Sequence, residues 1–218
     1  MHIKSGLLEK IPGVLHGFGS LDEEVPSPLK EIFDRTHASW RQVHGTACVR
    51  LDAPHTQGLE ADAFWTEKTG LAVAVVTADC VPILLARRDG TRVGAIHAGW
   101  RGTIAHITRH FFEAVGDSPT DWVAAIGPSI GPCCYEVSEE LAGDFAREFP
   151  DIAAAAVPRF RHLDLPAINE AELKRLGVAD VELLRACTRC SVSATGAPLF
   201  RSYRREGGKT RQYSVISC

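Results

Sequence analysis

Three short apolar runs, at 71–76, 81–86 and 92–97, follow one another at close spacing and read as short buried strands. Between the second and third, Arg88-Asp89-Gly90 is a strong hairpin corner, so those two are expected to pair antiparallel. From this nucleus outward, strands alternate with helices, without repeats or low-complexity tracts. Ile104, Ile107, Phe111 and Val115 recur at helical spacing and predict a helix over 102–115, ended by Gly116-Asp117-Ser118-Pro119. A strand is expected at 122–126, stopped by Gly127-Pro128. Ser138 is the expected cap of a helix running to 149, with Glu139 and Glu140 in the first turn, where the helix dipole favours them. A further helix is expected at 166–176, closed by Gly177, and strands near 181–186 and 212–216 complete a mixed sheet. Residues 22–28 and 150–160 read as irregular connections, neither long enough to separate two domains. The expected fold is α/β (α+β): a mixed β-sheet core flanked by helices, in a single domain over 1–218, a length that can bury one substantial core.

A net charge of −3 gives no footprint for nucleic acid or a membrane surface, and no stretch approaches the ~20 apolar residues that span a bilayer. The first residues, Met-His-Ile-Lys-Ser-Gly, open no apolar signal region, so a cytoplasmic protein is expected. The seven cysteines are too sparse for a disulfide scaffold, and in a reducing compartment most would be free thiols. Cys187-x-x-Cys190 has redox or zinc-knuckle spacing but lacks a second such pair. Cys133 and Cys134 are adjacent, and their side chains diverge if the backbone is extended. Neither pair is expected to hold a metal.

Cys80 and His97 both stand where a strand runs out, and His44, in Gln42-Val43-His44-Gly45, adds a second imidazole. Two histidines and a thiolate suit zinc and leave a fourth position for water or substrate. His97 interrupts Val93-Gly94-Ala95-Ile96, where a plain core strand would carry another aliphatic, and Gly94, Gly99 and Gly102 around it suggest close approach of backbone or ligand. Asp79 is a candidate to orient a ligating imidazole. Trp100 and Arg101 follow at a helix start, offering an aromatic face and a guanidinium. The segment from Arg201 to Arg211 holds five basic residues in eleven, and Arg204 and Arg205 join Arg101 as candidates to grip an anionic group. His106 and His110 have metal-binding spacing but lack the glutamate of a metalloprotease and read as an exposed helical face.

Gln42-Val43-His44-Gly45, Thr77-Ala78-Asp79-Cys80-Val81-Pro82, His97-Ala98-Gly99-Trp100-Arg101-Gly102 and Gly127-Pro128-Ser129-Ile130-Gly131 occur together in the order of one known group. Through them, and from Gly17-Phe18 through Ala61-Asp62-Ala63 to Ser202-Tyr203-Arg204-Arg205, the chain resembles the YfiH family. That family is also called DUF152, multicopper polyphenol oxidase-like, or peptidoglycan editing factor. The resemblance implies an α/β domain with a catalytic zinc held by His44, Cys80 and His97. It also implies a small-molecule substrate: a purine nucleoside, cleaved with phosphate, or adenosine, deaminated. Family members often read Phe-Phe-Ser-Tyr-Arg-Arg where this chain has Phe200-Arg201-Ser202-Tyr203-Arg204-Arg205, which bears on local substrate contacts. Three alternatives remain open on the residues. Cys80 could be the nucleophile of an amide hydrolase that edits cell-wall precursors. Copper could replace zinc in a polyphenol oxidase, a weaker reading because nine histidines include no His-x-His pair. Cys133 or Cys134 could close a structural zinc site in a binding module.

Overall fold

The computed structural model describes residues 3–208 and 210–218. In chain order its elements are β1 (Leu15–Phe18), α1 (Lys30–Thr36), β2 (Trp40–Arg41), β3 (Cys48–Arg50), β4 (Leu59–Glu60), β5 (Ala63–Thr66), β6 (Ala72–Thr77), β7 (Val81–Arg87) and β8 (Val93–Ala98). They continue with α2 (Trp100–Ile104), α3 (Ile107–Val115), β9 (Trp122–Ile126), α4 (Glu139–Glu148), α5 (Ala153–Ala156), α6 (Leu165–Leu176), β10 (Asp180–Leu183), α7 (Tyr203–Glu206) and β11 (Gln212–Ser217).

The apolar runs are continuous rather than alternating because the sheet they build is buried on both faces. Six strands lie in the order β10-β9-β7-β8-β5-β3, and β7 pairs antiparallel with β8 as the Arg88-Asp89-Gly90 corner predicts. Alternation along β7 sends Val81, Ile83 and Leu85 to one face and Leu84 and Ala86 to the other. The first face packs on Phe111 of α3, Phe145 of α4 and Leu173 of α6. Trp122 of β9 meets Phe111 edge-on there, with ring centroids 5.7 Å apart, in the arrangement that aromatic quadrupoles favour. The second face meets Val73 and Val75 of β6 and Ile216 of β11. Those strands belong to a separate three-stranded sheet, β1-β11-β6, whose far side is covered by Leu29 and by Phe33 of α1. The result is a layered stack of helices, six-stranded sheet, three-stranded sheet and α1. Each fully buried Leu, Ile or Phe in it contributes roughly 1.5–3 kcal/mol.

Three expectations are corrected by this arrangement. The strands at 71–76 and 212–216 do not complete the sheet of 81–86 and 92–97; they pair with each other in the second sheet. The crossing falls at Ala78-Asp79-Cys80, where Asp79 takes a left-handed φ of 94°. The helix over 102–115 is also broken. It begins at Trp100, stops at Ile104, and restarts at Ile107 after His106, whose φ is 58°. His106 is therefore not on an exposed helical face with His110. Its ring is pinned between Glu148 Oε1, at 2.8 Å from Nε2, and the buried Glu172. The other helices follow their caps. Ser138 Oγ accepts from Leu141 N–H at 3.2 Å to start α4, and Asp164 accepts from Ala167 N–H at 3.0 Å to start α6. The 150–160 connection contains the single turn α5. No helix among the described residues is long and apolar enough to cross a membrane.

Candidate metal centre and its cavity

The two sheets bring three sequence-distant residues to one point. Cys80 ends the crossing from β6 to β7, His97 lies near the end of β8, and His44 sits on the turn after β2. One ligand atom from each lies within 4.8 Å of the others. The two imidazoles meet at 77° with ring centroids 4.9 Å apart. His97 is buried, Cys80 half-buried and His44 exposed, so the group opens to one side. Gly99, the cap of α2, permits this convergence: a Cβ there would come within 2.9 Å of His44 Cδ2 and 3.2 Å of Cys80 Sγ.

Asp62, fully buried just before β5, organises the group. Its Oδ1 takes the His97 Nδ1 proton at 2.8 Å and accepts from His44 N–H at 3.0 Å. Its Oδ2 accepts from Val43 N–H at 3.1 Å and Gly45 N–H at 2.8 Å. One carboxylate thus fixes both the turn that carries His44, itself at a φ of 60°, and the ring orientation of His97. Burial opposes its ionisation, but the His97 hydrogen bond and the Gly45 and Val43 N–H groups outweigh burial and hold the carboxyl below the usual range. This is the role that the sequence suggests for Asp79. Asp79 instead accepts from Thr188 Oγ1 at 2.6 Å and from Arg204 N–H at 2.7 Å, fastening the crossing to the C-terminal segment. Ala61-Asp62-Ala63 was visible only as part of the family pattern; a charged residue leading into an apolar strand is the signal that could have marked it.

Burial disfavours a thiolate at Cys80, yet the His97 imidazolium and hydrogen bonds from both histidines bring the thiol down to about 6. Burial likewise disfavours charge on His97, and the Cys80 thiolate and Asp62 outweigh it, raising His97 to about 9. A buried imidazole and a half-buried thiolate that favour charge largely through each other suit replacement of the shared proton by a cation. With Nδ1 of His97 committed to a carboxylate, the donor set fits a three-ligand metal centre backed by a supporting hydrogen bond.

The trio lines a cavity of about 800 Å³, together with Trp100, Arg101, Tyr135, Arg204 and Arg211. Two of the expected anion-gripping residues, Arg101 and Arg204, therefore reach it. Arg101 stacks on Trp100 with its guanidinium carbon 4.6 Å from the ring centre, and Arg204 stands 5.4 Å over Tyr135. Arg205 does not line the cavity. Its guanidinium is spent on the carbonyls of Thr188 (2.9 Å), Arg189 (3.1 Å) and Phe200 and on the carboxylate of Glu206. Arg201, the departure from the family pattern, is likewise turned away, with its backbone N–H on Gln212 Oε1 and its side chain on Leu21 O. Lys209 lies outside the described residues. Tyr135 was missed by sequence reasoning. Burial and the Cys80 thiolate push its phenol up to about 12 against the pull of Arg204, so it remains a proton donor at neutral pH.

A mixed-sheet α+β fold with a His–Cys–His cluster at one cavity wall defines the class, and comparison with known proteins supplies the family. Residues 28–218 match the family described as multi-copper polyphenol oxidoreductase laccase, and the chain belongs to that YfiH/DUF152 family. A Deinococcus radiodurans protein named purine nucleoside phosphorylase is 38% identical over 183 residues, 82% of this chain and 69% of the relative. The Escherichia coli K12 protein named purine nucleoside phosphorylase YfiH is 35% identical over 177 residues, 80% of this chain and 71% of its own. Among solved structures, a Neisseria meningitidis protein of family DUF152 superposes with a TM-score of 0.73 at 31% identity, covering 88% of this chain and 78% of that one. Bacillus licheniformis YfiH shares the fold with a TM-score of 0.78 at 24% identity, covering 96% and 94% of the two chains.

Proposed function

We propose that the chain is a metal-dependent purine nucleoside phosphorylase, acting as one domain, with His44, Cys80 and His97 as metal ligands and catalytic centre and zinc as the metal. The observation that carries this reading is the cavity itself. It is within the usual size for small-molecule sites and is lined by aromatic rings, by the guanidinium groups of Arg101 and Arg204 and by the trio. The relatives named purine nucleoside phosphorylase point the same way. Inosine, adenosine and methylthioadenosine are the substrates proposed.

In phosphorolysis a phosphate oxygen bonds to the ribose C1′ as the bond to the purine nitrogen breaks, and the base leaves carrying the electron pair. Arg101 and Arg204 would neutralise the phosphate, with Arg204 held in place through its backbone bond to Asp79. Trp100 and Tyr135 offer flat faces to the base, and the protonated Tyr135 hydroxyl can donate a hydrogen bond to a leaving nitrogen or a ribose oxygen. Asp62 keeps His97 oriented throughout. A zinc ion held by the trio would supply Lewis acidity and lower the pKa of a bound water to about 7, the chemistry that deamination of adenosine requires.

A second reading has a specific observation behind it. A thiol brought down to about 6 beside an imidazole is also the pairing of a cysteine nucleophile, as in an amide hydrolase acting on cell-wall precursors. Copper oxidation has less behind it. Of the two candidate ligand groups among the described residues, only the trio contains histidine, and it holds two.

The test is chromatography of products from inosine and adenosine, with and without phosphate, using zinc-replete wild type, Cys80→Ala and Arg101→Ala. Free base only in the presence of phosphate, abolished by Cys80→Ala and with a raised KM for phosphate in Arg101→Ala, is the expected result. Inosine from adenosine without phosphate would add the deaminase activity. Unchanged nucleosides in every tube, with rapid alkylation of Cys80 in metal-replete protein, would transfer the assignment to the amide hydrolase.

A further inference from the structure

The four cysteines that the sequence leaves as two unrelated pairs come together away from the trio. Cys133 and Cys134 follow β9, and Cys187 and Cys190 follow β10. Their four Sγ atoms all lie within 4.8 Å of one another, and Cys133 and Cys190 are 3.5 Å apart. A tetrahedral zinc with sulfur at about 2.3 Å sets its ligands roughly 3.8 Å from one another, so one ion fits among these four with little movement. The adjacent pair does not diverge because its backbone is not extended. The amides of Cys134 and Tyr135 both turn back to Gly131 O, at 2.9 and 3.0 Å, which puts the two side chains on one side.

The facing segment is a knuckle. Cys187-Thr188-Arg189-Cys190 closes on itself through Ser191 N–H to Cys187 O at 2.9 Å. Gly131 N–H donates to Cys187 Sγ at 3.3 Å, and the amides of Arg189 and Cys190 are directed at the same sulfur. Amide N–H groups gathered on one sulfur stabilise a thiolate ligand more than a neutral thiol. The two loops are held in register by Ser129 N–H to Ala186 O at 3.2 Å and Thr188 N–H to Ser129 O at 3.0 Å.

The geometry points to a second metal site, a closed tetrathiolate of Cys133, Cys134, Cys187 and Cys190 holding one zinc ion as a structural staple. Four protein ligands leave no position for substrate, so this ion is not catalytic. Its loops are the ones that shape the cavity wall. Ile130 and Tyr135 line the cavity from one loop. Thr188 of the other reaches Asp79, beside Cys80, and its carbonyl holds the Arg205 guanidinium. The staple therefore braces loops that line the cavity without sharing a ligand with the trio.

Metal content and cobalt spectroscopy test this directly. Zinc-grown protein, washed of loose metal, is expected to carry two zinc ions per chain by mass spectrometry of the elements, falling to one in Cys187→Ser/Cys190→Ser. Should that variant fail to fold, cobalt-loaded Cys80→Ala keeps the question open to measurement, because all four cysteines of the staple remain while the trio has lost its only sulfur. The expected spectrum has intense sulfur-to-cobalt charge transfer and the ligand-field bands of four thiolates. A cobalt spectrum without sulfur ligation, or an intact mass showing these four cysteines joined as disulfides in freshly purified protein, would overturn the proposal.

Discussion

Replacing Asp62 by asparagine changes one oxygen to an NH2 group and leaves the shape of the side chain alone, so its effect isolates the carboxylate. If the amide oxygen keeps the place of Oδ1, it still accepts from His97 Nδ1 and His44 N–H, but the NH2 then faces the N–H groups of Val43 and Gly45, donor against donor. Turning the amide over loses His97 and His44 instead. Two hydrogen bonds to a charged acceptor are lost either way, at about 1.5–3 kcal/mol each. Val43 and His44 are exposed, so water replaces part of that loss, and the expected destabilisation is about 2–4 kcal/mol. Because the carboxylate also orients His97, affinity for the trio's metal should fall roughly 10–100-fold. Urea unfolding in excess chelator measures the first quantity, and competition with a chelator of known affinity measures the second. A variant within about 1 kcal/mol of wild type, with metal affinity within about twofold, would refute the organising role given to Asp62.

Gly99→Ala should strike the trio while sparing the fold, since the backbone there (φ −72°, ψ 173°) suits alanine but its methyl group would meet His44 and Cys80. A metal affinity lowered at least tenfold with unfolding within about 1 kcal/mol of wild type is expected, and chelator competition alongside urea unfolding checks it. Gly94→Ala should do the reverse: its Cβ would fall 2.4 Å from Phe111 Cζ in the packed core, and a loss of about 1–3 kcal/mol or more should appear in chemical unfolding. His16, buried with Nε2 accepting from Ser5 N–H at 2.9 Å, is lowered from 6.5 to about 4, chiefly by burial. The unfolded chain therefore binds its proton first as pH falls. The stability that depends on neutral His16 is intact above pH 6.5 and is lost between 6.5 and about 4, to an extent of about 3 kcal/mol. His16→Gln should flatten that part of the pH–stability curve in chemical unfolding; an unchanged difference between pH 7 and pH 4 would count against it.

Much of the layered fold was legible because burial on both faces writes itself as unbroken apolar runs, and β7, β8 and β9 fall where those runs do. Helix α4 was equally legible through Ser138, whose hydroxyl makes the expected capping bond. The division into two sheets was not. β6 and β7 are adjacent and similarly apolar, and what separates them is a left-handed residue at Asp79 held by partners 109 and 125 residues away. The break before α3 was hidden for a like reason: Ile104, Ile107 and Phe111 keep helical spacing across it, while His106 is drawn out by carboxylates on α4 and α6. The trio could be picked out from the combination, two imidazoles and a thiol with glycines crowded around His97 inside the family motifs, since each residue alone reads equally well as packing. Its supporting carboxylate could not, since Asp62 and Asp79 look alike in sequence and only the crossing of the sheets decides which one meets His97.

The central claim is that nucleoside cleavage occurs at the metal held by His44, Cys80 and His97. The most direct measurement strips wild-type protein of metal, reloads it in graded steps, and follows base release from inosine at saturating phosphate, with His44→Ala treated in parallel. The account predicts that the wild-type rate rises in proportion to occupancy of the trio and that His44→Ala stays inactive at every metal level. Phosphate-dependent release that is full in stripped protein, or equal in His44→Ala, would contradict it.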